Sequence, residues 1–166
     1  MKKIFIIHLF LFCCQSIFGQ DLIFFDGETC KCPGASPGYS ATISGTTYTV
    51  VDDTTIASEI TSENYNLCTT LVTNMNSLFR GNSFDYDIGF WDTSNVTDMS
   101  RLFQSASNFN QDIGSWNVSS VSDMSIMFLG ASSFNQNIGS WDVSNVTNMN
   151  SMFNSASVFN NGGSNS

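Results

Sequence analysis

Trp91, Trp116 and Trp141 stand 25 residues apart, and their neighbours recur in step with them. A period this short excludes a conventional single-core domain: each copy is too small to bury its own apolar face and has to stack on the next. Phe84, Phe109, Phe134 and Phe159 form a second series. Phe79, Phe103, Phe128 and Phe153 form a third, and Met75, Met99, Met124 and Met149 a fourth. The first interval in these last two series is 24 rather than 25, because the first copy lacks one residue in the stretch after Arg80.

Within the copy from Val96 to Val121, Met99, Leu102, Phe103 and Ala106 fall at i, i+3, i+4 and i+7, the spacing of a helix with one buried stripe. Thr97 or Asn95 would cap it, and Asp98 would sit in its first turn, where the helix dipole favours negative charge. A helix of about ten residues is marginal alone, so packing would have to hold it. Phe109 opens a turn through Asn110, Gln111 and Asp112; Gly114 sets a bend, and Ile113, Trp116 and Val118 have the spacing of a leucine-rich-repeat strand. The expected fold class is therefore an α/β solenoid, a stack of short strand plus short helix units.

The expected organisation has four parts. Residues 1–19 read as a signal peptide: Lys2 and Lys3 precede an apolar run from Ile4 to Phe12, then polar Gln15 and Ser16, then Gly19. The run is about half the ~20 residues that a membrane span needs. Cys13 and Cys14 could suggest a lipid anchor, but Phe12 stands where such sites want a small residue. Residues 20–66 read as a β-rich cap, with a strand at Leu22 to Phe25, a hairpin from Ala41 to Val51 about Ser44-Gly45, and a short helix after Asp52 and Asp53 ending near Ile60. Residues 67–160 hold about three and a half repeats. Residues 161–166 read as a frayed or truncated tail, as expected of a fragment of a longer array.

Charge and residue usage then restrict function. Loss of the leader leaves Lys31, Arg80 and Arg101 against 14 acidic residues, a net charge of −11. Such a surface repels phosphate backbones and argues against nucleic acid as a partner. His8 is the single histidine and leaves with the leader, so no imidazole base or Ser-His or Cys-His pair remains, and no enzymatic activity or cofactor is expected. The remaining cysteines are Cys30, Cys32 and Cys68; in an oxidising compartment Cys68 is expected to pair with Cys30 or Cys32. Three thiolates without histidine leave a zinc site incomplete.

The polar positions repeat too. Asp85, Asn110 and Asn135 share one place in the repeat, and Asp87, Asp112 and Asn137 another. These six form the candidate binding ladder. Their simplest role is to satisfy turn backbone groups as Asx turns do; calcium held between coils is the rival, weakened by the alternation with neutral Asn. Asn95-Val96-Thr97, Asn117-Val118-Ser119 and Asn145-Val146-Thr147 spell glycosylation acceptors, which packing of the repeat explains as well.

The run Phe109-Asn110-Gln111-Asp112-Ile113-Gly114-Ser115-Trp116-Asn117-Val118-Ser119 and its near copy from Phe134 to Ser144 resemble the repeat of BspA-type leucine-rich-repeat surface proteins of bacteria. The resemblance extends from Leu71 to Asn160, with Val96 to Ser100 as a further match, and Cys30 to Gly34 and Tyr48 to Asp52 are similar to a leader region before such repeats. It implies a secreted or cell-surface protein whose repeats bind extracellular or host proteins or another cell surface; the sequence itself leads us to expect no transmembrane segment once the leader is removed. It carries over no catalytic or ligand residue. The rival functions are a structural spacer within a longer surface array and a calcium- or polysaccharide-binding solenoid.

Overall fold

The computed structural model describes residues 22–163. The expected signal peptide with Cys13 and Cys14, and the last residues of the expected tail, lie outside the described residues. Two small sheets and one short helix precede the repeats. Strands β1 (Phe24–Asp26) and β2 (Thr29–Lys31) form an antiparallel pair. Strands β3 (Ser40–Ile43), β4 (Thr46–Asp52) and β5 (Leu67–Leu71) form a sheet in that order.

Sequence dictates the β3–β4 hairpin locally. Ser44 (φ 50°) and Gly45 (φ 88°) are both left-handed, as the two-residue turn whose twist matches the strands requires. On the exposed face the hydroxyls of Thr42 and Thr47 are 2.9 Å apart and those of Ser40 and Thr49 3.0 Å, while Val50 points inward and is fully buried. Helix α1 (Ile56–Thr61) carries the chain to β5, which lies parallel to β4. Its Ile56 and Ile60, one turn apart, are its buried side chains. Asp52 Oδ1 accepts the backbone N–H groups of Thr54 (2.9 Å) and Thr55 (3.1 Å) at its start.

Beyond Leu71 the structure overturns the expected α/β solenoid. Among the described residues no helix and no multi-residue strand follows β5; each copy is a helix-free coil of consecutive turns. The segment expected to be helical does bury Met99, Leu102, Phe103 and Ala106 completely. Its hydrogen bonds, however, are not helical. Alternate N–H groups leave the coil: Met99, Arg101, Phe103 and Ser105 donate to the carbonyls of Asp123, Ser125, Met127 and Leu129 at 2.7–2.9 Å. Those between them close local turns, Leu102 to Met99, Gln104 to Arg101 and Ala106 to Phe103. Arg101 and Ser105 are left-handed (φ 58° each), as are Ser77 and Gly81, Ile126 and Gly130, and Ser151 and Ser155 in the other coils, so a right-handed helix cannot run through any of them.

The expected strand segment is corrected as well. The parallel bridges that link coil to coil join Asn74, Asp98, Asp123 and Asn148, in the part read as the start of a helix, and not Ile113, Trp116 or Val118. Ile113 instead closes a turn, its carbonyl accepting the Trp116 N–H at 3.1 Å.

Spacing explains why coils replace helices. Phe79, Phe103, Phe128 and Phe153 stack in one column with centroids 5.4–5.7 Å apart. Phe84, Phe109, Phe134 and Phe159 stack in a second at 5.1–5.9 Å. These equivalent rings lie near-parallel in every copy and the backbones pair directly at Asn74, Asp98, Asp123 and Asn148, so successive coils sit about one ring spacing apart, closer than the ~8 Å that helix axes need. Each coil also joins its two columns, as Phe103 and Phe109 do at 4.1 Å.

Each tryptophan ties its coil to the one before: the indole N–H of Trp116 donates to Ile88 O at 3.1 Å and that of Trp141 to Ile113 O at 3.2 Å. The first, Trp91, donates to Tyr65 O, so the segment before β5 stands in for a preceding coil.

Candidate binding surface

Three Asx positions punctuate each coil. Asp98 Oδ1 accepts the Ser100 N–H (2.8 Å), Asp112 Oδ1 that of Gly114 (2.9 Å) and Asn117 Oδ1 that of Ser119 (3.1 Å). Asp and Asn alternate at these places because the turn uses only one oxygen acceptor two residues back, which both side chains supply.

Of the six ladder residues, Asp85, Asn110 and Asn135 face the next coil. Their Oδ1 atoms accept the backbone N–H groups of Asn110 (2.9 Å), Asn135 (2.9 Å) and Asn160 (2.8 Å). Asp87, Asp112 and Asn137 instead bond within their own coils, each to the N–H of the glycine two residues on at 2.9 Å, and all three are exposed. The ladder thus divides into one row that joins coils and one whose outer polar atoms face solvent. Among the described residues no group of three or more His, Cys, Asp or Glu is placed to hold a metal ion.

The three cysteines lie where the cap meets the repeats. Cys32 and Cys68 form a disulfide, with Cα atoms 6.2 Å apart, and Cys30 is free and buried. Burial, and then the negative charge of Asp92, push the Cys30 thiol up to about 12. Asp92 is itself only 2 % exposed and pairs with Lys31 at 2.8 Å. Burial pushes its carboxyl upward, but hydrogen bonds from Lys31 and Ser94 outweigh this and hold it below the usual carboxylate range. The equivalent Asn117 and Asp142 are exposed, so the cap is what buries this position in the first coil.

A second group at this junction went unread in the sequence. Tyr48, Tyr65, Tyr86 and Phe90 line a groove of about 440 Å³ together with the carboxylates of Glu63 and Asp87. Tyr86 is 56 % exposed and stacks on Tyr65 at 4.7 Å; Phe90 packs edge-on to Tyr48 at 5.7 Å. The signal was available as a break in the repeat. Tyr86 stands where later coils have Gln111 and Gln136, whose amides bond back to Asp85 O and Asn110 O. Phe90 stands where they have Ser115 and Ser140, which bond back to Gly89 O and Gly114 O. In the first coil both positions turn to the cap and to solvent instead. A shallow depression beside the groove, lined by Glu28, Asp87, Phe90 and Asp112, continues the acidic surface towards the exposed ladder row.

Residues 48–166 match a family described as Mycoplasma protein of unknown function, DUF285, and the chain belongs to that family. No curated protein and no solved structure matches it. No helix among the described residues is long and apolar enough to cross a membrane.

Proposed function

We propose that the chain is an exported or surface-displayed repeat protein that binds another protein, in the manner of an adhesin, through the groove at its cap and the adjoining acidic row. The observation that carries this reading is the pairing of Tyr86, 56 % exposed, with the carboxylates of Glu63 and Asp87 in one groove. Aromatic faces beside carboxylates suit lysine and arginine side chains, which gain both cation–π and ionic attraction there. The resemblance of the repeats to BspA-type surface proteins supports the same class of function, and the net negative charge favours a basic partner over an anionic one.

A structural spacer is the second reading. It is favoured by the Asp85, Asn110 and Asn135 row, whose oxygens serve coil-to-coil bonds. Binding of the immobilised full chain to extracellular matrix proteins, glycans and whole cells separates the two. The adhesin reading expects saturable binding that weakens with salt and is lost in Tyr86→Ala and Asp87→Asn, with both variants still unfolding cooperatively. Absence of binding by a folded sample, or binding indifferent to both substitutions, would refute this groove as the site.

A further inference from the structure

Each coil presents a row of carbonyls to the coil before it. Met75, Ser77, Phe79 and Gly81 donate their N–H groups to the carbonyls of Asp98, Ser100, Leu102 and Gln104 at 2.7–3.1 Å, and Met99, Arg101, Phe103 and Ser105 repeat the pattern one coil on. In the first coil the equivalent carbonyls are those of Asn74, Asn76, Leu78 and Arg80, and what precedes them is the cap. Before and after this stretch the cap stands in for a missing coil. Asp53 Oδ1 accepts the Thr73 N–H at 2.7 Å, where Thr97 and Ser122 donate to carbonyls of the coil before, and Tyr65 O accepts the Trp91 indole. Between the two, the carbonyls of Asn74, Asn76, Leu78 and Arg80 accept no hydrogen bond among the described residues.

The middle of this row borders a trench of about 510 Å³ between α1 and the first coil, lined by Ala57, Ile60, Asn76 and Leu78. Glu63 and Tyr65 line both the trench and the aromatic, acidic groove, so the two adjoin. An unpaired row of backbone groups recruits a strand-like segment, main-chain bonds supplying affinity and neighbouring side-chain pockets supplying selectivity.

Building on the groove as a binding site, we infer that the partner protein enters as an extended segment laid along this carbonyl row. Its alternate N–H groups answer the carbonyls of Asn74, Asn76, Leu78 and Arg80, as those of a preceding coil would. It runs parallel to the first coil, the direction in which neighbouring coils bridge. Beyond Asn82 the coil leads to Tyr86 and Asp87, so the C-terminal end of the segment arrives at the groove. There Glu63, Asp87 and the exposed face of Tyr86 take a lysine or arginine side chain. The partner is thus a segment with small or apolar residues where Ala57 and Ile60 wall the trench, followed by a basic one.

The test is binding of labelled synthetic peptides to the full chain, followed by fluorescence anisotropy. The probe has the sequence of residues 99–106, with which the fold itself answers such a row, followed by two glycines and an arginine. Ester replacement of the N–H groups at its Arg101 and Phe103 positions should weaken binding about tenfold, because two main-chain bonds are lost. Esters at its Leu102 and Gln104 positions, whose N–H groups face away from the row, should change it less than about threefold. Ala57→Trp, at an exposed position, should bar the trench to every probe, and Asp87→Asn should reduce the probe to the affinity of one lacking the last arginine. Absence of binding, or esters at both sets of positions acting alike, would overturn the inference; if Asp87→Asn still weakens such binding, the groove stands and only the carbonyl row falls. Sensitivity to the esters with indifference to Asp87→Asn would refute the groove and the basic residue with it. Multimers of the chain alone that Ala57→Trp dissolves would assign the row to a second copy and overturn the inference.

Discussion

Gly114→Ala should destabilise the chain, although the position makes no unusual backbone demand: Gly114 is not among the left-handed residues. A Cβ at Gly114 would lie 2.6 Å from the backbone carbonyl oxygen of Asn137 in the next coil and 3.2 Å from Asp112 Oδ1. Ordinary carbon–oxygen contact begins near 3.4 Å, so the two coils have to separate by several tenths of an ångström. The same separation stretches the Trp141 indole bond to Ile113 O and the ring contacts of both phenylalanine columns. Overpacking of this kind costs about 1–3 kcal/mol, and the smaller entropy of an alanine in the unfolded chain returns roughly 0.4–1 kcal/mol. The expected net loss is about 1.3 kcal/mol, or roughly 3–5 °C in melting temperature for a chain of this size. Gly139 supplies the control, because it holds the same place in the repeat but its Cβ would meet the flexible amide of Asn161 at 3.1 Å instead of a carbonyl. Gly139→Ala should therefore stay within about 1 kcal/mol of the parent. Thermal and urea unfolding of the two variants side by side decide the matter. Equal losses, or none at Gly114, would refute the idea that coil-to-coil approach is what reserves this position for glycine.

Three further outcomes follow from the same geometry. At the left-handed Ser105, Ser105→Gly should leave stability unchanged or raise it by up to about 1 kcal/mol while Ser105→Val lowers it by about 1–3 kcal/mol, read by urea unfolding; a helix would be weakened by the glycine. Opening the Cys32–Cys68 disulfide, which spans 36 residues, should cost about 3–4 kcal/mol, and Cys30 should resist alkylation at pH 8 until the chain unfolds, both measurable by mass spectrometry along a denaturant series. Because the Asp92 carboxyl is held below its ordinary value of 3.8, its contribution is complete above that value and is lost as pH falls towards the depressed one. Melting temperature should accordingly fall more steeply below pH 4 in the parent than in Asp92→Asn, and parallel curves would exclude this carboxylate as a cause.

The period, the identity of the buried side chains and the Asx positions were legible because each is a property of single residues repeated in register. Met99, Leu102, Phe103 and Ala106 had to face inward, and they do. What the spacing could not distinguish was a helix from a run of turns. Both place i, i+3, i+4 and i+7 on one side, and the difference lies in whether the N–H groups of Met99, Arg101, Phe103 and Ser105 stay within the coil or cross to the next. That choice is made by neighbouring copies, through rings less than 6 Å apart within each column, and a single repeat read alone carries no trace of it. The Ser44-Gly45 turn was legible for the opposite reason, since two left-handed residues in succession are a local demand. The groove was legible only by comparing copies: Tyr86 and Phe90 stand out when set against Gln111 and Ser115, and not by their own chemistry.

Amide hydrogen exchange followed by NMR tests the stacked-coil account most directly. It predicts slow exchange at Met99, Arg101, Phe103 and Ser105, whose N–H groups cross to the next coil, and positive-φ couplings at Arg101 and Ser105. Protection of every successive amide from Leu102 to Ala106, with unbroken helical chemical shifts, would contradict it.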